Sequence, residues 1–316
     1  MSRSSFRILR VTVLLFVVSA TRADLRLVED LLTLDAKVWT NGYAWRAEHA
    51  GLARNEFAAE RVAAPLGVNG QLSQVASLRL SADIGKIYPL DMYSDFRWAS
   101  GFNVRVGQFV LPLGFELMTD PGSELIVNSS LLAGYAAPVG SRDIGLMAGM
   151  QNARFSFYGA VANGAGANVA DDNPRKDLCG RLALTPFANV DVVLALRAYY
   201  GWPGAADTAW RSLAAEARVT RGPLELQAEF QNHYDNRGPN NSTYVQAGWD
   251  RGQLEPVARI DLVLSRGRVS EWMMAGGLNL KPVSDHVKVM VDFTYHRNYQ
   301  ANWGIIGFLF RIQAAL

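Results

Sequence analysis

Basic side chains recur singly in stretches where apolar and polar residues alternate; Arg79, for example, stands between Leu78 and Leu80. Alternation puts such residues on one face of a strand, opposite the apolar face. Fixed cations along a water-filled wall can pass anions from one group to the next. The basic residues predicted on this face are Lys37, Arg79, Arg97, Arg105, Arg181, Arg197, Arg218, Arg259 and Arg311.

Acidic side chains share the polar face. Charges of opposite sign on neighbouring strands pair with each other, and a mixed wall is all that a water-filled lumen needs. An anion ladder and a merely hydrated wall are therefore both open interpretations. The acidic positions are Asp35, Asp83, Asp95, Glu216, Glu225, Glu229, Asp261, Glu271 and Asp292.

Histidine and cysteine give little sign of catalysis. His233 and His296 fall on polar positions, but no serine neighbours either at strand spacing, as a membrane hydrolase would need. Cys179 is the single cysteine, which excludes an intramolecular disulfide and any Cys/His metal spacing. We expect no catalytic residue, metal or cofactor, and an outer-membrane hydrolase remains an alternative.

The elements that carry these residues are predicted strands, because the apolar residues repeat every second position after about Leu34. Turn signals divide the chain into about sixteen strands of roughly ten residues, the even number typical of single-chain outer-membrane barrels. The predicted strands are 34–46, 54–63, 70–84, 91–99, 101–111, 142–150, 152–162, 177–185, 189–200, 210–220, 223–234, 242–250, 255–266, 269–281, 286–297 and 303–314.

A closed transmembrane barrel is favoured over a soluble sandwich. Apolar and polar residues alternate along the strands of both folds. Lipid offers no hydrogen-bond partners to an unpaired strand edge, so a sheet in a membrane must close on itself. An export signal, a chain that ends inside its final strand and aromatic residues near strand ends favour the barrel. The aromatic residues expected in the two interfacial girdles are Trp98, Trp202, Trp210, Trp249, Tyr295 and Trp303.

Residues 1–23 have the order of a secretory signal peptide: three arginines, an uncharged run from Val11 to Ala20, and small residues before a cleavage site. The whole chain has 31 basic and 29 acidic residues; four arginines lie before residue 24, so residues 24–316 have 27 against 29, a net charge of −2. No basic stripe indicates a nucleic-acid partner. Residues 24–316 form the predicted barrel, and Asp24 to Thr33 has the spacing of a short helix.

One connection, between Pro112 and Ser141, is about thirty residues long and lacks alternation. Such long connections are usually functional or disordered. We interpret it as a third loop that folds inward and narrows the pore; an external loop that covers the mouth is the alternative. Ser129, Ser130 and Arg142 are the predicted constriction residues, since hydroxyls and guanidinium bind oxyanions. Alternatively, Arg142 and Asp143 anchor the loop to the wall.

Several motifs resemble, in order, those of the phosphate-selective porin O and P family. The resemblance implies a sixteen-stranded trimeric porin whose third loop constricts the channel. It is strongest over about residues 100–185. The motifs are V-R-V-G-Q-F-V-L-P-L-G-F-E (Val104 to Glu116), R-D-I-G-L-M (Arg142 to Met147), Y-G-A-V-A-N-G-A-G (Tyr158 to Gly166), D-D-N-P-R-K-D-L-C-G-R-L (Asp171 to Leu182) and F-R-I-Q-A-A-L (Phe310 to Leu316).

The chain departs from that family at two places that bear on anion binding. Members often have Lys where Val110 stands, and Glu-Arg-Ser where this chain has Asn128-Ser129-Ser130. Both changes remove positive charge. Leu316 replaces a terminal Phe, a milder change because Leu is also apolar.

The expected function is that of an outer-membrane porin for passive diffusion of small hydrophilic solutes, with phosphate-like anions among them. A non-conducting structural or receptor barrel is the main alternative. The expected partners are these solutes, outer-membrane lipid and two further copies in a homotrimer. The expected solute-contacting residues are Arg79, Arg97, Arg105, Glu116, Ser129, Ser130, Arg142, Arg181, Arg197 and Arg218.

Overall fold

The structure is a computed structural model that describes residues 31–49, 52–59, 62–136, 139–171, 173–187, 190–203, 209–235, 238–282 and 286–315. The expected signal peptide and most of the predicted helix Asp24–Thr33 lie outside these residues. The last two positions of that predicted helix, Leu32 and Thr33, begin the first strand, so for them the helix prediction is wrong.

The described residues form one antiparallel sheet that closes on itself. Its first strand pairs with its last, from Lys37 opposite Ala315 to His49 opposite Trp303. The strand segments are β1 (Leu32–His49), β2 (Leu52–Ala59), β3 (Pro65–Gln71), β4 (Ala76–Asp83), β5 (Tyr88–Arg97), β6 (Phe102–Val110), β7 (Arg142–Gln151), β8 (Phe155–Ala162), β9 (Asp177–Leu184), β10 (Asp191–Gly201), β11 (Trp210–Arg221), β12 (Leu224–Asp235), β13 (Gly238–Trp249), β14 (Leu254–Ser265), β15 (Arg268–Leu280), β16 (Val287–Asn298) and β17 (Trp303–Ala315). The all-β, antiparallel barrel prediction is confirmed.

β2 and β3 together make one wall strand. β1 pairs with β2 over Gly42 to His49 and with β3 over Leu32 to Ala36, and the bridge between Trp39 and Ala63 lies between these two regions. Seventeen segments therefore form the predicted sixteen barrel strands.

The predicted strand 70–84 is wrong, because it joins the end of β3, a turn and β4. Gly67 and Gly70 both lie in β3, although glycine is a typical turn residue. A Cβ at Gly67 would collide with the Asp35 carboxylate on β1, so glycine leaves room there for a neighbouring charge. Short strands with glycine at inward positions therefore resemble turns in the sequence.

The barrel is apolar outside and polar inside, the reverse of a soluble protein. Leu196, Leu213 and Phe308 on its outer face are all more than half exposed. Inward positions carry charged groups, and Arg197 and Glu229 there are at most 3% exposed. The girdle prediction is wrong for two residues, which face the lumen and not the lipid. Trp210 stacks on the inward-facing His233, and Trp303 packs edge-on against the inward-facing His296.

The two ends of the barrel differ. One end carries the connections 111–141, 163–176 and 202–209 and is called the loop end; the other carries shorter turns and both described chain termini, and is called the turn end. Longer connections mark the extracellular side of such barrels. β4 to β9 have 8 to 10 residues whereas β10 to β17 have 11 to 13, so the wall is lower over β4 to β9, which is called the low wall below.

The remaining elements are short. Two α-helices, α1 (Phe115–Met118) and α2 (Leu131–Ala136), and a 3-10 turn at Pro121–Ser123 all lie in the connection between β6 and β7. In the described part of the chain, no helix has the length and apolar character required to cross a membrane.

Candidate functional site

The connection 111–141, called the inner loop below, folds into the barrel. Its base is closed by the Leu111 amide, which donates to the Ser141 carbonyl at 2.9 Å. Leu111 and Leu113 are buried with Phe109 in an apolar cluster that includes Met147 and Tyr199 of the inner wall. The hydrophobic effect therefore fixes the first part of the loop against β6 to β10, and the inward-folding third loop is confirmed.

The middle of the inner loop reaches the opposite wall. Arg311 of β17 donates to the Glu124 carboxylate at 2.5 Å and to the Val127 carbonyl at 3.2 Å. The Val127 amide donates to the Asp292 carboxylate at 2.6 Å, and Lys37 pairs with Asp120. The loop thus crosses the lumen from β6 to β1, β16 and β17.

These loop acids escaped the sequence prediction because the segment has no strand period to show which way a side chain points. Burial alone would raise the pKa of Asp120, but the Lys37 ammonium and the Gly122 amide outweigh it and lower that pKa. Burial raises the pKa of Glu124 despite the nearby Arg311. The loop tip is therefore held by paired charges, each strongly affected by its partner.

The return of the loop is held by Glu116 and Ser130. The Ser130 amide donates to the Glu116 carboxylate at 2.6 Å, and its hydroxyl donates to the other oxygen of that carboxylate. The same hydroxyl accepts from the Ala133 amide at 3.1 Å, which caps α2. Ser130 is 4% exposed, whereas Ser129 is exposed to the lumen. Of the two predicted serines, Ser129 is therefore the accessible one.

Arg142 contacts the wall and not the loop serines. Its guanidinium donates to Asp91 of β5 at 2.8 Å. Asp91 also lies 3.5 Å from Arg79, which in turn donates to Asp35 at 3.0 Å. Arg142, Asp91, Arg79 and Asp35 form a chain of alternating charge along the inside of the low wall. The Arg142 guanidinium thus joins two wall strands, β7 and β5, and its ion pair does not involve the inner loop.

Arg97 and Arg105 share one acid. Both donate to Asp95, at 2.7 and 3.3 Å, and Arg105 lies 4.0 Å over the ring of Tyr93. Arg97, Asp95 and Arg79 border a cavity of about 520 Å³ at the turn end. This group is predominantly paired, so it offers a hydrated wall of mixed charge.

Arg181 and Arg197 are paired more deeply. Arg181 donates to Glu216 at 2.7 Å, and Arg197 lies between Glu216 at 3.5 Å and Glu229 at 3.8 Å. Glu229 also accepts from the Glu116 amide at 3.0 Å, which joins this cluster to the inner loop. These arginines support the loop and the wall.

Arg218 differs from the other predicted arginines, because the structure gives it no ion pair among the described residues. Its guanidinium lies 5.0 Å from the centre of the Phe115 ring, and that of Arg181 lies 4.8 Å from the same ring. The two cations border a cavity of about 310 Å³ that Thr119 and Gln151 also line. Arg181 is paired with Glu216, so of the two it is Arg218 whose guanidinium is not held by a carboxylate within 4 Å.

The histidine of the hydrolase alternative is enclosed by rings. His233 stacks between Tyr135 at 4.8 Å and Trp210 at 5.0 Å and is fully buried. The expectation that no serine neighbours it was wrong, since Ser212 lies directly opposite on β11. The rings leave no approach for a substrate. Among the described positions no group of His, Cys, Asp and Glu is placed to hold a metal ion.

Solved structures share this fold. An anion-selective porin from Comamonas acidovorans superposes with a TM-score of 0.68 at 15% identity, covering 90% of this chain and 99% of that one. OprB of Pseudomonas putida superposes with a TM-score of 0.65 at 12% sequence identity, covering 90% of this chain and 94% of that one. The trimer form of OmpT, an outer membrane protein of Vibrio cholerae, superposes with a TM-score of 0.61 at 10% sequence identity, covering 91% of this chain and 100% of that one. No protein-family model and no curated protein matches the sequence. The chain therefore has the barrel architecture of bacterial outer-membrane proteins.

Proposed function

We propose that this chain is a porin of the bacterial outer membrane, through which small hydrophilic solutes diffuse down their gradients. The inner loop supports this most directly, because it crosses a lumen lined with charged groups and narrows it at mid-height. Diffusion of this kind needs no cofactor and no covalent step.

Single-channel recording in planar bilayers tests the proposal. A porin gives stepwise conductance that persists at low voltage. The alternative, a non-conducting structural or receptor barrel, is favoured by the apolar cluster of Phe109, Leu111 and Leu113, which fills part of the lumen. A folded barrel that inserts without conducting would reject the porin and support this alternative.

We further propose that phosphate-like anions are among the solutes and that Arg218 and Arg181 attract them. Arg218 forms no ion pair among the described residues; it interacts with the Glu225 carboxylate only through space, so its guanidinium can donate hydrogen bonds to an anion in the cavity beneath the inner loop. Ser129 at the exposed edge of the loop provides a hydroxyl donor. Membership of the phosphate-selective porin O and P family belongs to this proposal.

Reversal potentials in a salt gradient, with chloride and with phosphate, test the anion proposal. Arg218→Gln should shift the reversal potential toward cation preference. Arg221→Gln is the matched control, since Arg221 is exposed at the turn end of the same strand. Equal reversal potentials for wild type and Arg218→Gln, or a clear cation preference of the wild type, would reject the anion proposal.

We also propose a homotrimer that joins through the low wall. Phe57 of the neighbouring β2, and Ile84 and Ile87 in the connection after β4, lie at the loop end beside that wall and are 76%, 59% and 91% exposed. β2 pairs with β1 on one side, and no other strand of the described chain pairs with its second edge. The mass of the complex in mild detergent tests this; a monomer mass under conditions that keep the barrel folded would contradict it.

The signal peptide is likewise a proposal. Export with cleavage after Ala20 or Ala23 predicts a mature protein that begins at Thr21 or Asp24. Intact-mass measurement of the membrane-extracted protein identifies the first residue, and an uncleaved Met1 would reject the cleavage.

A further inference from the structure

Four outward-facing side chains lie in register near the loop end. Leu178 of β9 is opposite Tyr200 of β10, Tyr200 is opposite Arg211 of β11, and Arg211 is opposite Tyr234 of β12. All four are exposed on the outer face. They form one row at the height where aromatic residues meet the lipid headgroups of such barrels.

The next row toward the membrane centre contains a recess. Its residues are Gly180, Ala198, Leu213 and Asn232, again neighbours in register. Gly180 and Ala198 are small, so the wall is indented between the larger side chains around them. The two rows enclose an open cavity of about 560 Å³. It has a polar upper edge and an apolar floor.

Arg211 is unusual for a residue on this face. The arginines of the lumen are mostly paired with carboxylates, but the structure gives Arg211 no acidic partner among the described residues. Its guanidinium lies 4.5 Å from the centre of the Tyr234 ring. A charge on the lipid face is costly unless it reaches the interface or meets an opposite charge. At the second position of β11 it reaches the interface, where an anionic group would complete its hydrogen bonds.

A second cation lies at the upper edge of the recess. Arg175, in the connection before β9, lies 5.2 Å from the ring centre of Trp202, and Trp202 packs edge-on against Tyr200 at 5.0 Å. Two cations and three aromatic rings thus surround the polar edge.

We propose that this recess binds the phosphorylated headgroup of an outer-leaflet lipid. Arg211 forms charge-assisted hydrogen bonds with the phosphate, because two N–H groups of a guanidinium can donate to two oxygens of one phosphate. Tyr200 and Tyr234 flank the headgroup, and one acyl chain lies over Gly180 and Ala198 in the indentation. The site lies on the outside of the barrel and is independent of conduction through the lumen.

Native mass spectrometry of the full-length barrel in detergent tests the site, with diphosphoryl lipid A as the probe. The wild type should retain the lipid, and Arg211→Gln should weaken retention about tenfold, the effect of losing one charge-assisted hydrogen bond. Arg251→Gln is the matched control: Arg251 also lies over an aromatic ring, Trp249 at 5.2 Å, but at the turn end. It should retain the lipid like the wild type.

Four further measurements complete the test. Lipid A without its phosphates should bind more weakly, while inorganic phosphate at equal concentration should not displace the lipid. Ala198→Leu, which fills the recess but keeps Arg211, should also weaken retention. Conductance should be unchanged in Arg211→Gln. Equal retention by wild type and Arg211→Gln, equal loss in the Arg251→Gln control, or displacement by inorganic phosphate would overturn the lipid site.

Discussion

At the scale of single residues, Asp120 shows how the inner loop is fastened. Its carboxylate pairs with Lys37 of β1 and accepts from the Gly122 amide at 3.0 Å. These contacts hold the pKa of Asp120 below its ordinary value of 3.8 although partial burial opposes them. The ionised form therefore stabilises the fastened tip above the ordinary titration range, and this contribution is lost as pH falls through the lowered pKa.

For the proposed porin, the expected consequence is a contribution of Asp120 to a quiet current that is lost only in acid. The difference in current noise between wild type and Asp120→Ala should stay constant through the ordinary aspartate range and shrink at lower pH, when protonation of Asp120 releases the tip from β1 in the wild type as well. Asp120→Ala should be noisy at every pH. Asp250→Ala is the control, because Asp250 pairs with Lys281 at the turn end and away from the loop. A quiet Asp120→Ala channel would contradict this account of the tip.

Much of the residue placement was predictable from alternation alone. The inward direction was predicted correctly for Arg181, Arg197, Glu216 and Glu229. In a barrel strand every second side chain faces the lumen, so the position of one residue determines the direction of the others. The role of Ser130 was not predictable. Its partner is Glu116, fourteen positions earlier in a loop without a period, and only the fold brings the two together.

At the scale of elements, the inner loop is held by wall acids that accept its backbone amides: Asp292 from Val127, Asp261 from Leu131 and Glu229 from Glu116. The wall strands pair with one another without the loop. Loop position and barrel closure are therefore separable, since each rests on different hydrogen bonds.

Replacement of residues 116–135 by a short Gly-Ser linker should leave a folded barrel with several-fold higher conductance. The lumen loses its obstruction, and water replaces the loop amides at Asp292, Asp261 and Glu229. The same linker in place of the shorter 163–176 connection at the loop end should leave conductance unchanged. An unaltered conductance after removal of the inner loop would show that the constriction lies elsewhere.

Element boundaries were less predictable than element type. β11 and β16 agree with their predicted ranges to within a residue, because long strands repeat the alternation many times. β2 and β3 were misplaced, since glycines within a short strand carry the same signal as a turn. The count of sixteen was still correct because two errors cancelled. The prediction separated β2 from β3, which form one wall strand, and it joined β3 to β4, which belong to two wall strands.

At the scale of the whole molecule, closure joins residues some 270 positions apart, as in the hydrogen bond from Arg311 to Asn41. Removing residues 303–316 would leave β1 and β16 each with an open edge. Such a chain should fail to reach the heat-resistant, protease-resistant form in detergent, because unpaired edges are intolerable in an apolar medium.

Circular dichroism and limited proteolysis after refolding measure this outcome. A chain that lacks residues 1–23 is the control, and it should refold fully if that segment is a signal peptide. Resistance of the shortened chain comparable to that of the control would contradict closure between β1 and β17.

The hairpin between β14 and β15 consists of Arg266 and Gly267, both with positive φ, 50° and 78°. The Arg266 amide donates to the Pro239 carbonyl of β13 at 3.3 Å, whereas a side chain at Gly267 would meet nothing within 4 Å, so the turn is open on the Gly267 side. A foreign peptide inserted after Gly267 would be connected to β14 and β15, two long strands of the wall, and would not contact the inner loop. The barrel therefore offers a natural platform for presenting epitopes or affinity tags at a cell's surface.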